Sequence, residues 1–159
     1  MKGRLLGILS LLLVSITCKK SHDVSLSKLD LRPFGINLDI MAPTGAVIDR
    51  KDYGAIGDIT VRQEPYYDLQ IIEADTIHQR ADDLKDEELQ ALWQEVYFKE
   101  LVQDDKYGFI FKTRVDSLTT GYDFRYFKII GAKEYRFQVG LTEVFELEDV
   151  KRMYKAVKL

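Results

Sequence analysis

The hydrophobic pattern changes period several times along the chain, and each change marks an element. Residues 5–16 are apolar apart from Gly7, Ser10 and Ser15 and carry no charge, and the pattern then turns polar through residues 19–33. Within that polar stretch Ser25-Leu-Ser-Lys-Leu-Asp-Leu31 alternates and allows a first strand near 24–31. Ile36, Leu38 and Ile40 alternate with Asn37 and Asp39, the period of two that a half-buried strand requires. Ala42-Pro43-Thr44-Gly45 interrupts the pattern, Ala46 to Ile48 resumes it, and Asp52-Tyr53-Gly54 reads as a turn. Strands are expected over 55–62, with Ile59 and Val61, and over 66–74, with Leu69, Ile71 and Ile72; Glu64-Pro65 separates them.

The period then becomes helical. Ile77, Ala81 and Leu84 are spaced by four and three, and Leu89, Leu92, Trp93, Val96 and Tyr97 continue at helical spacing. Asp75 or Thr76 can cap this segment and Asp86 can cap a second start, so 76–97 is either one long central helix or two abutting pieces. Residues 98–102 fit a helix end or a strand. Alternation returns at Phe109, Phe111 and Thr113, at Tyr122, Phe124 and Tyr126, and at Tyr135, Phe137, Val139 and Leu141. Gly131-Ala-Lys133 between the last two runs predicts a β-hairpin of 122–130 with 134–141. From Glu146 onward Leu147, Val150, Met153 (or Tyr154) and Val157 form a helical stripe, with acids leading and bases trailing as the helix dipole favours. Hairpins outnumber possible β-α-β crossovers, so the expected class is α+β: an antiparallel sheet flanked by a long central helix and a C-terminal helix.

The first twenty residues change the picture. Lys2 and Arg4 precede an apolar run of about 12 residues, the length of a signal h-region and short of the roughly 20 needed to span a bilayer. It ends at Thr17-Cys18, the chain's one cysteine, followed by Lys19-Lys20. This segment resembles a bacterial lipobox of the looser kind found in Bacteroidota, with Ser15 where leucine is commonest. The resemblance implies a signal peptide over 1–17, cleavage before Cys18 and acylation of its sulfur, then a tether over 18–33 and a single domain over 34–159. An ordinary signal peptide with an incidental cysteine and an uncleaved N-terminal anchor are the alternatives. Without lipid, the mature chain would carry a lone thiol in an oxidising compartment.

Removal of 1–17 would leave 21 basic residues against 26 acidic ones. Nucleic acid needs clustered Lys and Arg, so it is not an expected partner. The expected address is the bacterial cell envelope, in the outer membrane facing the periplasm. Lys19-Lys20 is not the aspartate associated with inner-membrane retention in enteric bacteria.

Ile36-Asn-Leu-Asp-Ile-Met-Ala-Pro-Thr-Gly-Ala46, Tyr122-Asp-Phe-Arg-Tyr126 with Gly131-Ala-Lys-Glu-Tyr-Arg-Phe137, and Val150-Lys-Arg-Met-Tyr-Lys-Ala-Val157 together resemble the PsbP-like fold. Extrinsic photosystem II proteins, the Mog family of Ran-release factors and small bacterial lipoproteins of unknown role share that fold. The resemblance implies a non-enzymatic binding domain; it carries over no catalytic residue, metal or cofactor.

The candidate chemistry is sparse. His78 stands one helical turn before Asp82, but a zinc site wants three or four ligands and His22 lies in the tether. Asp82-Asp83 and Asp104-Asp105 are acid pairs, and Asp104 to Gly108 is too short for a calcium loop, reading instead as a polar turn. Ser117 has no nucleophile elbow around it. No catalytic residue, metal site or cofactor is therefore expected. Aromatic loading is the stronger feature. Tyr66, Tyr67, Tyr122, Tyr126 and Tyr135 are core if they face helices and a binding surface if they face solvent. The leading expectation is a non-enzymatic envelope lipoprotein that binds a protein partner or assists an assembly. A small-molecule or glycan binder using a sheet–helix cleft is the alternative, and a hydrolase comes last because no motif supports it.

Overall fold

The structure is a computed structural model, and it describes residues 24–159. The signal segment, Cys18 and His22 lie outside the described residues. Strands β1 (Leu26–Asp30) and β2 (Asp39–Pro43) form an antiparallel pair of their own. Between them Arg32–Phe34 makes a turn of 3-10 helix, so the expected strand from Phe34 is instead a tight corner that feeds β2. Pro33 suits the first turn of that helix, where no amide donor is needed.

The main sheet has seven strands, all antiparallel, in the order β3-β4-β5-β9-β8-β7-β6. These are β3 (Val47–Tyr53), β4 (Ile56–Gln63), β5 (Tyr67–Asp75), β6 (Phe98–Asp105), β7 (Gly108–Arg114), β8 (Thr120–Ile130) and β9 (Lys133–Val139). The expected hairpin is present as β8–β9, closing through Gly131 and Ala132. Gly131 has φ 62°, a conformation that costs a residue with a Cβ but not glycine.

Two helices cover opposite faces. Helix α2 (Leu147–Ala156) and the β1–β2 pair pack on one face, where Ile59, Leu69, Ile71, Phe124, Phe137, Val150 and Met153 are sealed from solvent. Helix α1 (Ala81–Leu92) packs on the other face, but only over β7 and β8, where Leu84, Leu89 and Leu92 meet Phe109, Phe111 and Phe127. The parity of the strands explains both layers: Phe124 and Tyr126 face α2, while Phe127, one residue on, faces α1.

The helical expectation also needs correcting. The central helix is not long: it has 12 residues, and neither 76–80 nor 93–97 belongs to it. Thr76 accepts a hydrogen bond from the His78 amide on its hydroxyl (3.0 Å), a local turn that competes with helix. The far end closes through Gln94 N–H to Ala91 O and Glu95 N–H to Leu92 O, and Phe98 then enters the edge strand β6. Ile77, Trp93 and Val96, which continue the helical stripe in the sequence, are therefore exposed.

Candidate functional site

The tyrosines are distributed by strand parity. Tyr67, Tyr126 and Tyr135 point to the α2 face and are buried. The Tyr67 hydroxyl donates to Met41 O (2.9 Å), and burial raises its pKa. Tyr126 packs edge-on to Tyr154 with centroids 5.8 Å apart and lies 6.1 Å from Phe137. Tyr122 is half-buried on the same face with the Lys112 ammonium 5.9 Å from its ring, and Tyr66 is half-buried in the β4–β5 turn. The five do not converge on one solvent-facing surface.

His78 does not share a helical face with Asp82. Its imidazole is drawn in from the β5–α1 connection between Glu87 of α1 (Nε2 to Oε2, 2.9 Å) and Glu134 of β9 (Nδ1 to Oε2, 3.4 Å). The hydrogen bond to Glu87 raises its pKa, burial opposes that, and Glu134 adds to the rise. Asp82 pairs with Arg80 instead. The acids Asp104 and Asp105 diverge: Asp104 binds Lys85 (2.6 Å), while Asp105 receives Lys158 (2.6 Å), the Tyr154 hydroxyl (2.9 Å) and Gln103 (3.0 Å). Ser117 lies in the exposed β7–β8 loop, at the opposite end of the strands from His78. Among the described residues no group of three or more His, Cys, Asp or Glu stands ready for a metal ion.

The arrangement that sequence reading missed is the polar half of the α1 face, beyond the helix. Beyond the edge of α1 a polar ladder runs across β9, β5 and β4: the Gln138 amide donates to Gln70 (2.7 Å), and the Gln70 amide donates to Asp58 (3.0 Å). One pair along the strands, Asp68 is only 1% exposed, held by the Thr142 hydroxyl and by Arg62 at 3.3 Å. Gly140 permits this, because a Cβ there would lie 2.1 Å from Asp68 Cγ. Over β3 and β4 the same face forms a shallow concavity of about 530 Å3, lined by Asp49, Lys51, Tyr53, Asp58, Thr60 and Arg62 among others. A cleft between the C-terminal half of α1 and the sheet is smaller, about 210 Å3, and Glu88 spans it to Arg136 (2.9 Å). The signal was in the sequence as Asp58-x-Thr60-x-Arg62, Asp68-x-Gln70 and Arg136-x-Gln138, but alternation alone makes these the solvated face of an ordinary strand.

Such a surface can hold a partner by complementary charge and hydrogen bonding; its side chains do not assemble a nucleophile with a base. Comparison of the chain with protein-family models, with curated proteins and with solved structures finds no match.

Proposed function

We propose that the protein is a non-enzymatic lipoprotein of the bacterial cell envelope, anchored through acylated Cys18 in the outer membrane and facing the periplasm, whose domain binds an envelope protein partner. The observation that carries this reading is the open β3–β4 edge of the α1 face. Helix α1 packs over β7 and β8, and at the other edge of that face β3 and β4 present exposed Asp49, Lys51 and Tyr53 beside half-buried Asp58, Thr60 and Arg62. Polar groups ordered in advance lower the entropic cost of association. The acylated cysteine supplies the address, because a multiply acylated terminus binds a bilayer in effect permanently. The same proposal groups the domain with the PsbP-like fold; an antiparallel sheet between helices is consistent with that grouping.

The test is a photo-crosslinking residue replacing Asp49 in the acylated protein in its native membranes. One discrete protein adduct is expected, and Lys51→Glu on the adjoining position should weaken it several-fold. Membranes that yield no adduct at Asp49 overturn the reading. A small polar ligand such as a glycan is the second reading, supported by Tyr53, which stands 62% exposed at the rim of the concavity. In that case the crosslink would be to non-protein material and Tyr53→Ala would abolish it.

A further inference from the structure

Seven of the exposed large apolar side chains gather at one end of the sheet, while others, among them Tyr53, Ile56, Ile77 and Tyr107, lie at the opposite end. Leu118 is 95% exposed, Leu141 87%, Val96 80% and Trp93 53%, and Tyr97, Val115 and Val144 are open as well. All of them belong to one end of the sheet, where β7 ends, β8 begins, β9 ends and β6 begins. They are neighbours there: Arg114 donates from its guanidinium to Val96 O (3.0 Å) and from its amide to Tyr97 O (2.8 Å), and Gly121 lies between Val144 and Val115. Exposed apolar side chains gathered on neighbouring loop tips mark a candidate interaction site.

The start of the described chain lies at the same end. Leu26 pairs with Pro43, Met41 O accepts from Tyr67 at the start of β5, and Thr44 O accepts from Gln63 at the end of β4. Gln63 and Tyr67 pair with each other, and Leu69 pairs with Val139 at the end of β9. The chain thus leaves β1 backwards toward Cys18 from the edge of the apolar end. Only eight peptide steps separate Leu26 from Cys18, a reach of at most about 28 Å.

The geometry points to a second membrane contact: the loops carrying Trp93, Val96, Val115, Leu118, Leu141 and Val144 enter the interfacial layer of the lipid bilayer to which Cys18 is anchored. This inference rests on the acylation proposed above. The occupant is a lipid surface rather than a second protein, because a short tether leaves this end facing the bilayer. The amphipathic Trp93 and Tyr97 suit the headgroup level. Glu95, Asp116 and Glu143 flank the apolar tips against Arg114, so insertion of the loops into zwitterionic lipid rests on their apolar side chains and is expected to be indifferent to salt. Docked this way, the strands stand along the membrane normal and the bare face of β3 and β4 looks sideways.

Trp93 is the chain's one tryptophan and therefore a direct reporter. The acylated full-length protein is reconstituted in phosphatidylcholine vesicles containing lipids brominated near the headgroup end of their chains. Mass spectrometry of Cys18 and flotation of the vesicles test the anchor; Trp93 emission tests the docking. The expected result is a blue shift and strong quenching of Trp93 at both low and high salt. A Leu118→Asp/Leu141→Asp variant should float equally well and lose the quenching; both side chains are solvent-exposed, so folding is not at risk, and circular dichroism verifies it. Acylated, floating protein whose Trp93 is unshifted and unquenched overturns the inference and leaves the anchor standing. Quenching that persists undiminished in the double variant overturns it as well. Unmodified Cys18 in a non-floating protein removes the anchor and the inference together.

Discussion

Asp68 and His78 show how single residues are committed by what surrounds them. Asp68 is a buried carboxylate whose room depends on a missing Cβ at Gly140. Gly140→Ala is expected to cost about 1–3 kcal/mol by forcing the carboxylate away from Thr142 and Arg62, read as a lower midpoint in urea unfolding at unchanged slope. His78 is more stable as the cation in the folded protein, because Glu87 and Glu134 face it. A folded-state pKa above the unfolded value of about 6.5 makes its stabilisation fully present below about pH 6.5, and the contribution is lost as pH rises through the folded-state value. The thermal midpoint should therefore fall from about pH 6 to about pH 8, and His78→Gln should flatten that fall. A midpoint profile identical in the two proteins would refute the assignment.

At the scale of elements, the helices are held by different means. Helix α2 is pinned at its C-terminal end by Asp105, which hydrogen bonds to Lys158, Tyr154 and Gln103 hold below the usual carboxylate range. Tyr154→Phe keeps the ring against Phe124 (5.5 Å) and removes one charge-assisted hydrogen bond. It should cost about 1–3 kcal/mol near neutral pH. The depressed carboxylate contributes stability above about pH 4, lost as pH falls, so the difference between variant and wild type should shrink in acid. Helix α1 is held by burial of Leu84, Leu89 and Leu92 over Phe109, Phe111 and Phe127. Leu89→Ala should cost about 2–5 kcal/mol, measured by denaturant unfolding.

Across the whole molecule, stability and availability are unevenly divided. Strands β4, β5, β9, β8 and β7 have partners on both sides, with β5, β9 and β8 innermost, while β3 and β6 are edges and β3 is open on the α1 face. Charged Asp49, Arg50, Lys51 and Asp52 along β3, and register shifts in β6, guard these edges against pairing with another chain. Amide hydrogen exchange should be slowest in β5, β9 and β8 and markedly faster in β3. Equal protection across the sheet would contradict this division.

Local chemistry made much of this readable in advance. The β8–β9 hairpin follows from two clean alternations around Gly131, and α2 from one unbroken helical stripe with charges placed for its dipole. The tyrosines on β5, β8 and β9 were assignable to core or surface only once a covering layer existed, and α2 with the β1–β2 pair provides it. Periodicity carries the helix past 81–92, because Ile77, Trp93 and Val96 keep helical spacing while serving exposed loops. Periodicity records which residues lie on one side of an element; it holds no information about whether anything packs there. Tertiary structure alone decided that α1 packs over β7 and β8, that a polar ladder is buried beside it, and that apolar loop tips distant in sequence gather at one end, because each depends on contacts between segments that no local pattern encodes.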